Sequence, residues 1–185
     1  MTYGTLRNGY SRIAKLLHWL VAICVLSTIP VAFWMNNASP GPLQDNLFNL
    51  HKSIGMLILA LMLLRVTYRL TAGAPAAEPS LAPWQRSFSS TVHTLLYVLL
   101  VAMPIVGYTA NSAYGASTPF FGLFDLPPIV GKNEALSEQL FKYHRWTGWA
   151  VAVLAAMHIG AALQHHFIHR DGVLRRMLPT SMGGA

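Results

Sequence analysis

Carboxylates are scarce in this chain: six Asp and Glu stand among 185 residues. Charged residues of both signs make up 10%, against roughly 25% in ordinary soluble domains, while 54% of the chain is hydrophobic. A soluble globular domain is excluded, and so are disordered and collagen-like chains. Cysteine is nearly absent. With Cys24 alone, no intramolecular disulfide and no disulfide scaffold is possible. The net charge of +7 would suggest nucleic acid in a soluble chain. In a chain this apolar it reports membrane orientation instead, and no nucleic-acid partner is expected.

What the chain has in place of charge is long apolar runs. Four of them, at residues 16–35, 53–70, 92–110 and 143–163, approach the ~20 residues a helix needs to cross ~30 Å of hydrocarbon. They predict an all-α integral membrane four-helix bundle, a single domain over residues 1–185 in contact with lipid, with helices near 12–35, 47–70, 88–110 and 140–168. Between them lie breakers: the stretch from Asn36 to Pro42, then Pro75, Pro79 and Pro83, then Pro119, Pro127 and Pro128. Pro30 and Pro104 fall inside spans, where neighbouring helices tolerate them as kinks. Arg7, Arg12, Lys15, Arg65, Arg69, Arg86, Arg170, Arg175 and Arg176 fall on one side of the membrane. Lys52, Lys132, Lys142 and Arg145 fall on the other, with Asp45, Asp125, Glu134 and Glu138. Both termini are therefore expected in the cytoplasm. A cleaved signal peptide is the competing account of the first span, but its length and the lack of an Ala-x-Ala site near Asn37 favour a retained helix.

Eight histidines outnumber the six acids, and several fall in or at the ends of spans, where an ionisable group is costly and points to function. His144 and His158 stand fourteen residues apart on the fourth span, ~21 Å of rise and close to four turns. Both lie on nearly one face at opposite depths. His51 shares the outer level; His18 and His93 share the inner one. Two bis-histidine sites stacked across the bilayer follow. A flat macrocycle such as haem needs a small residue one turn from its ligand. Gly55 follows His51, Gly148 follows His144, Ala22 follows His18, and Ala155, Ala161 and Ala162 surround His158. His93 meets the test on one side only and ranks fifth. Without a Cys-x-x-Cys-His segment any haem is held non-covalently. Lys52 and Arg145 each follow an outer histidine and suit haem propionates.

Each feature has a plainer account. A lone intramembrane histidine is more often an interhelical hydrogen-bonding group, and a lone glycine more often a helix-packing residue. Four histidines that meet the depth and space tests together outweigh that account. Zinc would want three or four close ligands of mixed type. For His165, His166 and His169, beside Arg170, the plainer account is a wet, basic helix end facing lipid headgroups.

In order along the chain stand His18-Trp19, His51-x-x-x-Gly55, Val92-His93-Thr94-Leu95-Leu96-Tyr97 followed by Pro104 and Gly107, Phe121-Gly122, Leu126-Pro127, the pair His144 and His158, His165-His166-Phe167, and Asp171-Gly172-Val173-Leu174-Arg175-Arg176-Met177-Leu178-Pro179. This set resembles the bacterial cytochrome b561 family over nearly the whole chain. The resemblance implies a bacterial inner-membrane bundle with two haem b groups, ligated at His18, His51, His144 and His158. It further implies electron transfer from superoxide outside to ubiquinone. On that expectation Lys52, Lys132, Lys142 and Arg145 steer the anion, and His165 supplies protons to the quinone. Two alternatives stand beside it: an electron-transfer cytochrome serving a periplasmic or membrane redox partner, and a haem-free metal transporter or channel.

Overall fold

Helix starts in this chain are set by capping residues rather than by the apolar runs. The computed structural model describes residues 9–178; Arg7 of the basic N-terminal group and Pro179 of the closing motif lie outside the described residues. Helix α1 (Arg12–Asn37) begins at Ser11, whose hydroxyl accepts from the Ala14 N–H at 3.2 Å. Helices α2 (Pro42–Ala72) and α3 (Pro83–Tyr114) each open on a proline, whose missing N–H is not needed in a first turn. Helix α4 (Glu134–Gln164) is capped by Asn133, which accepts from the Leu136 N–H at 3.0 Å. The last three helices therefore start five or six residues before the positions expected from hydropathy, and Pro42 and Pro83 open helices instead of lying in loops. A π-helical turn, His165–His169, continues α4 to the end expected for it.

All four helices are long and apolar enough to cross a membrane. The chain is a multi-pass membrane protein and a four-helix bundle. Backbones pack most closely in the pairs α1/α2 and α3/α4, with α2 against α3 joining the pairs. The core is small: Val21, Val25, Ile54, Ile58, Met62 and Val151. Large apolar side chains such as Leu64, Trp149 and Val153 face outward, as they do when lipid replaces water around the bundle.

The all-α expectation missed one element. Strands β1 (Thr118–Phe120) and β2 (Phe124–Leu126) form an antiparallel hairpin with Phe120 opposite Phe124. Three-residue strands are too short to show a period in sequence. The hairpin closes over the N-terminal part of α2, the side expected to be outer, where the Ser53 hydroxyl accepts from the Phe121 N–H at 2.9 Å and lies 3.0 Å from the Pro119 carbonyl. Asn111 donates to the Thr118 hydroxyl at 2.8 Å from the α3 side. At the other face the chain after the π-turn folds back. Trp19 Nε1 donates to the Met177 carbonyl at 2.9 Å, Lys15 to the Leu178 carbonyl at 2.7 Å, and Arg176 to the Ala76 carbonyl at 2.8 Å.

Candidate functional site

Helix α4 carries the site because it presents an imidazole at each of two depths. His144 faces His51 of α2 with ring centres 5.9 Å apart and planes at 88°. His158 faces His18 of α1 at 6.0 Å and 73°. With metal–nitrogen distances of about 2.0–2.1 Å, two imidazoles on opposite sides of one metal have ring centres about 6.4 Å apart. Both pairs match that spacing to within half an ångström. The bundle thus brings together the four histidines singled out from sequence, in the two pairs expected.

The fifth histidine is also drawn in. His93 of α3 lies 5.0 Å from His158, ring centre to ring centre, closer than two ligands of one metal stand. Its Nδ1 is 3.4 Å from the Ser89 hydroxyl one turn away, and the residue is exposed. The inner level therefore holds three rings and the outer level two.

At the outer level the second ring nitrogen of each histidine is engaged. His144 Nδ1 lies 3.1 Å from the Met103 carbonyl, and His51 Nδ1 lies 3.1 Å from the Thr28 hydroxyl. A carbonyl only accepts, so His144 Nδ1 carries the proton and Nε2 keeps its lone pair, as a metal-ligating histidine requires. Thr28 and Met103 went unnoticed in the sequence, since a hydroxyl in an apolar run and a backbone oxygen leave no pattern. Gly55 has open space where a side chain would stand. Gly148 does not: a Cβ there would meet Met103 Cε at 3.6 Å, an ordinary contact. Gly107 is the tightest, since a Cβ would lie 2.8 Å from His144 Cε1.

The outer cations are not alike. Lys52 is half-buried and its ammonium donates to the Ser117 carbonyl at 2.8 Å, pinning the chain that leads into the hairpin. Lys132 is exposed, with its methylenes beside Gly115; Lys142 and Arg145 are exposed on α4. At the inner end His165 Nδ1 lies 2.5 Å from Asp171 Oδ2, with the two side chains only 13% and 11% exposed. His165 is thus held by a carboxylate rather than lying loose at a wet helix end. Burial alone would raise the Asp171 pKa, but the Val173 N–H at 3.0 Å and His165 outweigh it and hold the carboxyl below its ordinary range. The ring of His169 stands 4.9 Å from that of His165.

The family model for prokaryotic cytochrome b561 matches residues 9–180. The chain is 35% identical over 185 residues to cytochrome b561 homolog 2 of Escherichia coli K12, covering 98% of this chain and 97% of the relative. It is 29% identical to cytochrome b561 homolog 1 of the same organism, over 93% of this chain and 98% of that protein. It is also 29% identical to the probable superoxide oxidase CybB of Yersinia pestis, over 96% of this chain and 100% of the other. With four membrane-spanning helices, paired intramembrane histidines and a family match over nearly all its length, this chain belongs to the prokaryotic cytochrome b561 family, whose members are haem-b-binding membrane electron-transfer proteins.

Proposed function

We propose that the chain is a di-haem superoxide:quinone oxidoreductase of a bacterial inner membrane, with both termini cytoplasmic. The observation that carries this is the two imidazole pairs to which α4 gives His144 and His158, 5.9 and 6.0 Å across, with fourteen residues between the two α4 members, ~21 Å of rise. Haem b bound there would supply one-electron carriage. His51 and His144 would hold the outer group and His18 and His158 the inner one, with Gly55 leaving room beside the outer pair. Gly148 borders that room, and Arg145, exposed next to His144, is placed to meet a propionate.

Two superoxide ions each lose one electron to become oxygen, and one quinone takes up two electrons and two protons to become quinol. Lys142 and Arg145, free of the hairpin, and Lys52 beside it attract the anion at the outer face. The name of the Yersinia pestis relative supports superoxide as the donor. At the inner face His165, oriented by Asp171, is the proton donor for ubiquinone. His166 Nδ1, buried with no hydrogen-bond partner among the described residues, supplies a group suited to a quinone carbonyl. The excess of basic residues on the side of both termini supports the orientation.

Purified protein is expected to contain two haems per chain and to be reduced rapidly by superoxide, with a rate that falls steeply as salt rises. Slow, salt-insensitive reduction would overturn the superoxide assignment in favour of a protein donor. That second reading has its own support in the outer hairpin, where Leu123 and Phe124 are 75% and 55% exposed. Membership of a cytochrome family leaves no place for the haem-free transporter.

Two substitutions separate ligand from neighbour. His93→Ala is expected to keep both haems, because the ring stands too close to His158 to share a metal with it; loss of one haem in a spectral titration would make His93 a ligand. Gly148→Leu is expected to lower outer haem occupancy, since a branched side chain displaces Met103 into the ring's space. Full occupancy with an unchanged spectrum would show that this face does not border the haem.

A further inference from the structure

We propose that Gly107 and the Met103 carbonyl of α3 form a seat that fixes the place and the proton of the His144 imidazole, making Gly107 a positioning residue for the outer site. This rests on His144 being an outer ligand. Met103 and Gly107 are one helical turn apart, so the acceptor and the gap lie on one face of α3. The carbonyl holds His144 Nδ1 at 3.1 Å. Beneath the ring, a Cβ at position 107 would stand 2.8 Å from Cε1, 3.0 Å from Nδ1 and 3.6 Å from Nε2.

A methyl group cannot sit that near a ring, and an imidazole tethered through Nδ1 is no loose side-chain end that swings aside. Glycine inside a helix is less favourable than alanine, and Gly107 does not adopt a left-handed conformation. Its place is explained by the space the ring takes. The two outer histidines are thereby made unequal. His51 Nδ1 meets a hydroxyl, which donates or accepts, whereas His144 Nδ1 meets a pure acceptor. Donation to a carbonyl raises the basicity of the ligating nitrogen, which favours the oxidised metal and lowers the outer potential relative to an untethered imidazole.

The experiment uses the haem-loaded protein and reads haem content, the electron paramagnetic resonance of each low-spin site, and both midpoint potentials. Gly107→Ala is expected to shift the outer signal and potential, or to lose the outer haem alone, with the inner site unchanged. Wild-type signals and potentials at both sites would overturn the seat, and so would loss of both haems together, which would mark Gly107 as a general packing residue. Should Gly107→Ala not assemble, replacement of His144 by Nδ1-methylhistidine keeps Nε2 and takes away the proton that Met103 receives. The outer potential is then expected to rise, and an unchanged potential would count against the seat. His144→Ala, measured alongside, keeps the two questions apart, because retention of both haems there would sink the ligand assignment itself.

Discussion

His158→Ala is expected to cut haem content from two per chain to one and to abolish quinone reduction, while superoxide still reduces the haem that remains. His158 is the one residue of α4 at the inner level that faces a histidine of α1, at 6.0 Å. His18→Ala should have the same outcome. His93, although 5.0 Å from His158, stands too close to take over on the opposite side of a metal without moving α3. His51→Ala and His144→Ala should give the reverse pattern, with the outer haem lost and reduction by superoxide slowed. Haem determination together with paramagnetic resonance checks all four. Two haems per chain in either His144→Ala or His158→Ala would end the di-haem account, because α4 would then not serve both levels.

The second large effect is expected at the inner face. His165→Ala should slow quinone reduction by about 10²-fold or more, the usual worth of a positioned acid, with both haem spectra and the reaction with superoxide intact. Asp171→Asn should slow it less, since it removes the group that orients the imidazole at 2.5 Å and leaves the imidazole itself. Equal quinone reduction in wild type and His165→Ala would place the proton donor elsewhere. The Asp171 carboxyl lies below its ordinary range, so its folded pKa is under its unfolded one. Its contribution to stability is therefore present above the unfolded value and is lost as pH falls through the lowered folded value. Mild acid should leave the Asp171–His165 contact in place, and stronger acid should weaken it together with the backbone bond to Val173.

The bundle and the four facing histidines were legible because depth along a helix is arithmetic. Fourteen residues between His144 and His158 fix two levels on one face, and no packing detail can change that. Helix starts were not legible from hydropathy, since Pro42, Pro83 and Asn133 act through backbone capping in water outside the apolar run. The hairpin escaped notice because its strands are three residues long and one of its anchors, Ser53, lies 68 residues from Phe121. Gly107 stood in plain view, three residues after Pro104 on an apolar helix. Its purpose shows only once α4 places an imidazole against it, a contact across 37 residues that no local pattern encodes.

The spacing of the two levels has an energetic consequence. The ~21 Å between them is about 0.7 of the ~30 Å hydrocarbon thickness. With both termini in the cytoplasm, as proposed, an electron that moves from the outer pair to the inner pair travels toward the negative interior of an energised cell. It works against the transmembrane voltage by about 1.6 kcal/mol for every 100 mV. With the orientation and the donor proposed above, each turnover charges the membrane, so that oxidation of superoxide is coupled to energy conservation.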